Sequence, residues 1–124
     1  MTRIFLSSGA LLGFLGVAAG AFGAHALRGR LSAEDLQIFE TAARYQMYHS
    51  LALIAVGLFA SRWPSASITA SGWCLLAGIF IFSGSLYILV LTGARWWGAI
   101  TPIGGTAFLA GWLLLFWATL RLGS

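Results

Sequence analysis

Residues 4–27 read IFLSSGALLGFLGVAAGAFGAHAL, a run without a formal charge when His25 is neutral. A helix rises about 1.5 Å per residue, so about 20 apolar residues cross the roughly 30 Å hydrocarbon layer of a bilayer. The run is long enough to span. A secretory signal is the competing reading, because Arg3 supplies a charged start and Ala24-His25-Ala26 fits the small-residue cleavage pattern. The apolar core of such a signal is only about 7–15 residues long, so the segment reads as a permanent helix.

Charges divide the rest of the chain in the same way. Residues 45–61, 63–94 and 96–120 are also free of formal charge. The third stretch is too long for one span, and Trp63-Pro64-Ser65-Ala66-Ser67 reads as a turn with an interfacial Trp. The third helix is therefore expected over residues 69–92. The fourth is expected over residues 102–121, with Thr101 as N-cap, Pro102 at the first helical position and Trp96 and Trp97 as an interfacial belt.

The second stretch covers only about 25 Å, and it extends backwards. Ser32-Ala33-Glu34-Asp35 has a cap residue followed by acids in a first turn, and Leu36, Phe39, Ala43 and Met47 recur at helical spacing. Glu40 and Arg44 stand four apart in the order that favours a pair. One helix over residues 33–60 is expected, amphipathic first and spanning later. The fold class is thus an all-α membrane protein: one domain over residues 1–124, a four-transmembrane-helix bundle with an amphipathic extension before helix two.

Composition agrees. The chain has 124 residues, 60% of them hydrophobic, and its ten charges are seven Arg and three acids with no Lys. So few charges do not cover a soluble domain of this size, and disorder requires the opposite balance. Cys74 is alone, which excludes a disulfide framework. The net charge of +4 is spread one Arg at a time, so no basic patch for nucleic acid forms.

Gly9, Gly13, Gly16, Gly20 and Gly23 alternate spacings of four and three along one face of the first helix. Ser71, Gly78, Ser85 and Thr92 repeat every seven residues on the third, and Gly104 and Gly111 do so on the fourth. In lipid, small residues let helix backbones approach, so these seams are expected at helix–helix contacts. Lining a path for a ligand is the less ordinary reading.

Alternating helices bring the end of the first, the start of the second, the end of the third and the start of the fourth to one membrane face. Those places hold Gly-Ala-Phe-Gly-Ala-His at 20–25, Tyr-Gln-Met-Tyr-His at 45–49, Phe-Ser-Gly-Ser-Leu-Tyr at 82–87 and Thr-Pro-Ile-Gly-Gly at 101–105. With Gly111-Trp112, these ordered motifs resemble the YgdD-like family of small four-span bacterial inner-membrane proteins with mitochondrial counterparts, a domain of unknown function. The resemblance covers almost the whole chain. It implies four helices in a bacterial inner membrane with both termini cytoplasmic, and it implies no activity. Arginine counts alone are three on the terminal side and four on the other, which decides nothing. The short acid-free loop at Arg62 and the N-terminal Arg3 favour cytoplasmic termini.

The shared face defines a candidate polar pocket of His25, Tyr45, His49, Ser83, Ser85, Tyr87, Thr101, Gly104 and Gly105. Tyr45 and His49 are four apart and share a side of their helix. Two His without a Cys or carboxylate at ligand spacing are a weak metal signal, and interfacial hydrogen bonds are the plainer role. Ser83 and Ser85 lack a base held by a third group, so serine chemistry is not expected. No phosphate loop, dinucleotide fingerprint or carboxylate pair is present. Glu40 and Arg44 belong at the interface, where an ordinary surface pair is expected.

The reading favours a structural or accessory subunit of the inner membrane. Its expected partners are the lipid bilayer and other membrane proteins or a second copy, with no nucleic acid, no cofactor, no resident metal and no enzymatic activity. Behind it stand a small oligomeric transporter or channel, and then a haem- or metal-binding protein using His25 and His49.

Overall fold

The computed structural model describes residues 2–122. Among these the chain is helical, with no strand. The long helices are α1 (Thr2–Leu27), α2 (Ala33–Arg62), α3 (Ala66–Thr92) and α4 (Thr101–Leu120), and a 3₁₀ turn, Arg95–Ala99, leads into α4. Two of them change pitch on the way: α1 has a π-helical turn at Ala18–Gly23 and α3 has one at Ile79–Ser83.

The helix ends follow local chemistry. The Ser32 hydroxyl accepts the Asp35 N–H at 3.1 Å, and Glu34 and Asp35 complement the positive end of α2. α3 starts at Ala66, three residues before the expected position, because the Ser65 hydroxyl caps it by accepting the Ile68 N–H at 3.1 Å. It stops at Gly93, which takes the left-handed conformation (φ +74°) and donates its N–H to Leu89 O at 2.8 Å. Thr101 does not cap α4. The residue before the helix, Ile100, is itself helical, and the Thr101 hydroxyl turns to Ser85 instead.

α1, α3 and the unit Arg95–Leu120 are long and apolar enough to cross a membrane, which makes three such helices among the described residues against the four expected. The reason lies in where α2 sits. α1 packs along α2 and α3 along α4, and α2 also lies against α3 and its π turn. Protein therefore covers much of α2, and Gln46, His49 and Ser50 are buried on it. With Glu34, Asp35, Glu40 and Arg44 added, its composition is that of a central helix rather than of a lipid-facing one.

The five glycines of α1 face α2 in antiparallel register: Gly9 on Ile54, Gly13 on Ser50, Gly16 on Met47, Gly20 on Ala43 and Gly23 on Phe39. They are not equivalent. A Cβ at Gly9 would stand 2.8 Å from the Ser50 carbonyl oxygen, while one at Gly13 would meet only Ser50 Cβ at 3.9 Å. Overpacking costs about 1–3 kcal/mol, and Gly to Ala within a helix gains about 0.5–1 kcal/mol. Gly9→Ala is therefore expected to lower the thermal midpoint in detergent, and Gly13→Ala to keep or raise it. Equal midpoints for the two variants would contradict this placement.

The apolar core holds Phe5, Leu53, Val56, Leu75, Phe108 and Leu115 among others, toward the end of the bundle that carries Arg62. A smaller cluster around Ala24, Phe39, Leu89 and Val90 closes the other end. There the Asp35 carboxylate meets the Arg95 guanidinium through two contacts, at 2.9 and 3.1 Å, and ties α2 to the turn before α4. The expected Glu40–Arg44 pair does not form. Asp35–Arg95 is the ion pair among the described residues, and helical spacing alone had placed two side chains together that point into a groove instead.

Candidate functional site

Between the two apolar clusters the helices are joined by buried polar side chains. Gln46 Nε2 donates to the Leu12 carbonyl at 2.8 Å, and its Oε1 accepts the Tyr87 hydroxyl at 2.7 Å. One amide thus links α1, α2 and α3. Ser83 Oγ donates across to Ala42 O at 2.7 Å, and Ser50 Oγ donates to Gln46 O at 2.6 Å. Ser85 and Thr101 share a hydrogen bond of 2.6 Å between α3 and α4. In a low-dielectric interior an unpaired polar group is costly, so these bonds account for why polar residues are tolerated at this depth.

On the α4 side of this layer lies a cleft of about 630 Å³, lined by Tyr45, Tyr48, His49, Phe82, Phe108 and Trp112 with Gly105 in its wall. The rings of His49 and Phe108 stack at 3.5 Å and 8°. The Tyr45 ring lies within 18° of the first and 25° of the second. Trp112 meets His49 edge-on.

His49 is held in one state by two partners. Its Nδ1 is 2.7 Å from the Tyr45 carbonyl oxygen, and its Nε2 is 3.1 Å from the Trp112 Nε1. A carbonyl only accepts and an indole N–H only donates. Nδ1 therefore carries the proton and Nε2 is bare, which defines a neutral imidazole. Long-range proton–nitrogen NMR of labelled protein in detergent is expected to show this tautomer. A protonated Nε2 at neutral pH would refute the assignment.

The residues singled out from the sequence fall into separate places. Tyr45, His49 and Gly105 line the aromatic cleft. Ser83 and Tyr87 border a second cavity of about 340 Å³ on the α1 side, with Leu12, Ala19 and Gln46. Ser85 and Thr101 are spent on each other. Gly104 has the Phe82 backbone against it and closes the α3–α4 crossing. His25 is exposed near the end of α1 and does not line the cleft with His49. Among the described residues no three His, Cys, Asp or Glu side chains stand together as a metal site.

Sequence reasoning missed Gln46, Tyr48, Phe108 and Trp112. The signal for the aromatic set was present, since Tyr48 and His49 follow Tyr45 by three and four residues and Trp112 follows Phe108 by four. Gln46 is the one amide within residues 45–61.

A helical bundle of this apolar composition is an integral membrane protein. The sequence profile of the family described as "Protein of unknown function (DUF423)" matches residues 19–105. The chain is 50% identical over 119 residues to the UPF0382 membrane protein SERP0230 of Staphylococcus epidermidis, covering 96% of this chain and 97% of the relative. It is 42% identical over 120 residues to the UPF0382 membrane protein YwdK of Bacillus subtilis, covering 96% and 98%. The chain belongs to the DUF423 family. No solved structure matches it.

Proposed function

We propose that the protein is a structural or accessory subunit of the bacterial inner membrane, with the outside of the α1–α2 pair as its contact surface. The observation that carries this is the Glu40–Arg44 groove. It holds about 340 Å³ over a floor that includes Gly16, Gly20, Ala21 and Ala43. Small residues admit a helix backbone closely. An acid and a base one turn apart, neither in an ion pair among the described residues, offer that helix an acceptor and a donor. A second copy supplies both complements, because in a two-fold contact each residue meets its partner reciprocally. The protein acts here as a scaffold and not as an enzyme.

The same proposal takes α2 as a fourth span, with both termini cytoplasmic, in keeping with the YgdD-like resemblance. α2 runs beside helices that are long and apolar enough to span, and its charge-free part, residues 45–61, covers about 25 Å. Glu40 and Arg44 then lie at the lipid headgroups, where charge is tolerated. The transporter reading has less support, because the polar side chains between the helices are bonded to backbone carbonyls or to one another rather than open along a path.

Charge exchange tests the reading. Protein in mild detergent or nanodiscs is expected to be oligomeric, or to bring a defined membrane partner with it. Glu40→Arg and Arg44→Glu should each weaken that assembly. The double exchange should restore a homo-oligomer and not a complex with another protein. A wild-type protein that is monomeric in nanodiscs and has no co-purifying partner would overturn the proposal.

A further inference from the structure

We propose that the aromatic cleft between α2, α3 and α4 binds a flat, apolar ring carrying a hydrogen-bond acceptor, the chemistry of a lipid-soluble quinone. Its volume of about 630 Å³ lies within the range of about 300–1,000 Å³ typical of small-molecule sites. The lining is aromatic. Tyr45, His49 and Phe108 have nearly parallel planes, with His49 and Phe108 stacked on each other, and Phe82 lies 33° from Tyr45, so rings make up most of the wall. Aromatic rings prefer offset-stacked or edge-on neighbours, and such walls provide those contacts.

Two features distinguish a ring ligand from an acyl chain of the surrounding lipid. Tyr45 and Tyr48 line the cleft and are 36% and 53% exposed, and their hydroxyls make no hydrogen bond among the described residues. They are donors for a carbonyl, and a saturated chain has no acceptor to offer them. Gly105 is the second feature. A Cβ there would meet only Phe82 Cδ2, at 3.9 Å, so helix packing does not require glycine at this position, unlike at Gly104. The absent side chain leaves volume to the cleft. A cationic ligand is a poorer match, because no acid lines the cleft and the two partners of His49 hold it neutral.

Position fits an amphiphile as well. Tyr45 follows Arg44 directly, and Pro102 lies in the first turn of α4, so this end of the cleft is at the charged end of the bundle. Leu109 and Trp112 lie further along α4, where an apolar tail leaves toward lipid.

The test is a titration of the full-length protein in detergent with decylubiquinone, a short-chain benzoquinone that quenches indole fluorescence. Wild type is expected to show saturable quenching that is reduced in Trp112→Phe. Gly105→Phe, which fills the cleft, should weaken binding about tenfold or more, as expected when a buried contact surface is lost. Gly105→Ala should bind nearly as wild type does. If Gly105→Phe fails to fold, Tyr45→Phe and Tyr48→Phe decide the matter: each removes only an unbonded hydroxyl, and together they should weaken binding about threefold or more. Dibrominated phosphatidylcholine, which quenches through its acyl chains, should not compete. Quenching linear in quinone, unchanged binding in both sets of variants, or equal competition by the brominated lipid would overturn the proposal.

Discussion

Gly104→Ala lowers the melting temperature of the detergent-solubilised protein by about 10 °C or more, whereas Gly105→Ala leaves it nearly unchanged. The contrast comes from adjacent residues. A Cβ at Gly104 collides with the backbone nitrogen of Phe82 and stands 2.7 Å from its Cα. A side chain can rotate away from such a clash, but helix backbone cannot, so α3 and α4 must separate. Separation strains the Ser85–Thr101 bond at the same level and opens the core around Phe108. Overpacking of this kind costs about 3 kcal/mol, at the upper end of the usual range. For a domain of this size each kcal/mol moves the midpoint by about 3–5 °C. At Gly105 the new methyl group enters the cleft. Midpoints within a degree or two of each other would show that the α3–α4 distance is not set at Gly104.

Gln46→Leu is the second large effect, with an expected loss of about 1–3 kcal/mol, from two hydrogen bonds that are each worth about 0.6–1.7 kcal/mol in membrane proteins. The substitution leaves the Leu12 carbonyl without its side-chain donor and the Tyr87 hydroxyl without its acceptor. Tyr87→Phe should cost less, because the amide keeps its bond to Leu12. The double variant should cost less than the sum of the two, because both singles break the same Gln46–Tyr87 bond. Unfolding monitored by circular dichroism in mixed micelles gives all three values. Strict additivity would mean that the amide and the phenol act independently.

Much of the helical architecture was legible because charge and glycine are local signals. Arg44, Arg62 and Arg95 stand at the edges of charge-free stretches, and Ser32 before Glu34 and Asp35 marks a helix start without any knowledge of packing. The seam of Gly9 to Gly23 lies on the side of α1 turned to α2, with Gly9 and Gly16 buried and Gly20 exposed. What was not legible depends on a second helix. Trp112 lies 63 residues from His49, and no spacing rule connects an indole to that imidazole. Thr101 has the right residue type and position for a cap, yet the nearer partner is Ser85, on a helix that spacing cannot place. Glu40 and Arg44 have ideal spacing for a pair, but spacing fixes where their Cβ atoms lie and not where their charged ends go. The low hydropathy of α2 has the same origin, because composition scales assume a lipid-facing helix and this one is largely covered by protein.

The candidate site was half legible for a related reason. The motifs at 45–49, 82–87 and 101–105 meet, through the Tyr45–Phe82 ring contact and the Ser85–Thr101 bond, whereas 20–25 lies beside Phe39 and Ala43, and helices have sides. Tyr45 and His49 look toward α4, while Gln46, next in sequence to Tyr45, looks toward α1 and α3. One expected pocket is therefore two cavities on opposite sides of α2.

The π turns at Ala18–Gly23 and Ile79–Ser83 bear on how the chain can change in length. A π turn holds one residue more than the α-helical turn it replaces. Each turn is therefore a place where the helix has absorbed an extra residue without rotating its C-terminal half. Deleting one residue inside Ala18–Gly23 lets the helix relax to regular α pitch with Ala24 still directed at the rest of the bundle. The same deletion at Leu11 rotates everything beyond it by about 100° and swings Gly16 and Gly23 away from α2. A single-residue deletion scan should accordingly find two short windows of tolerance in an otherwise intolerant bundle, and natural variation in helix length has the same two windows open to it.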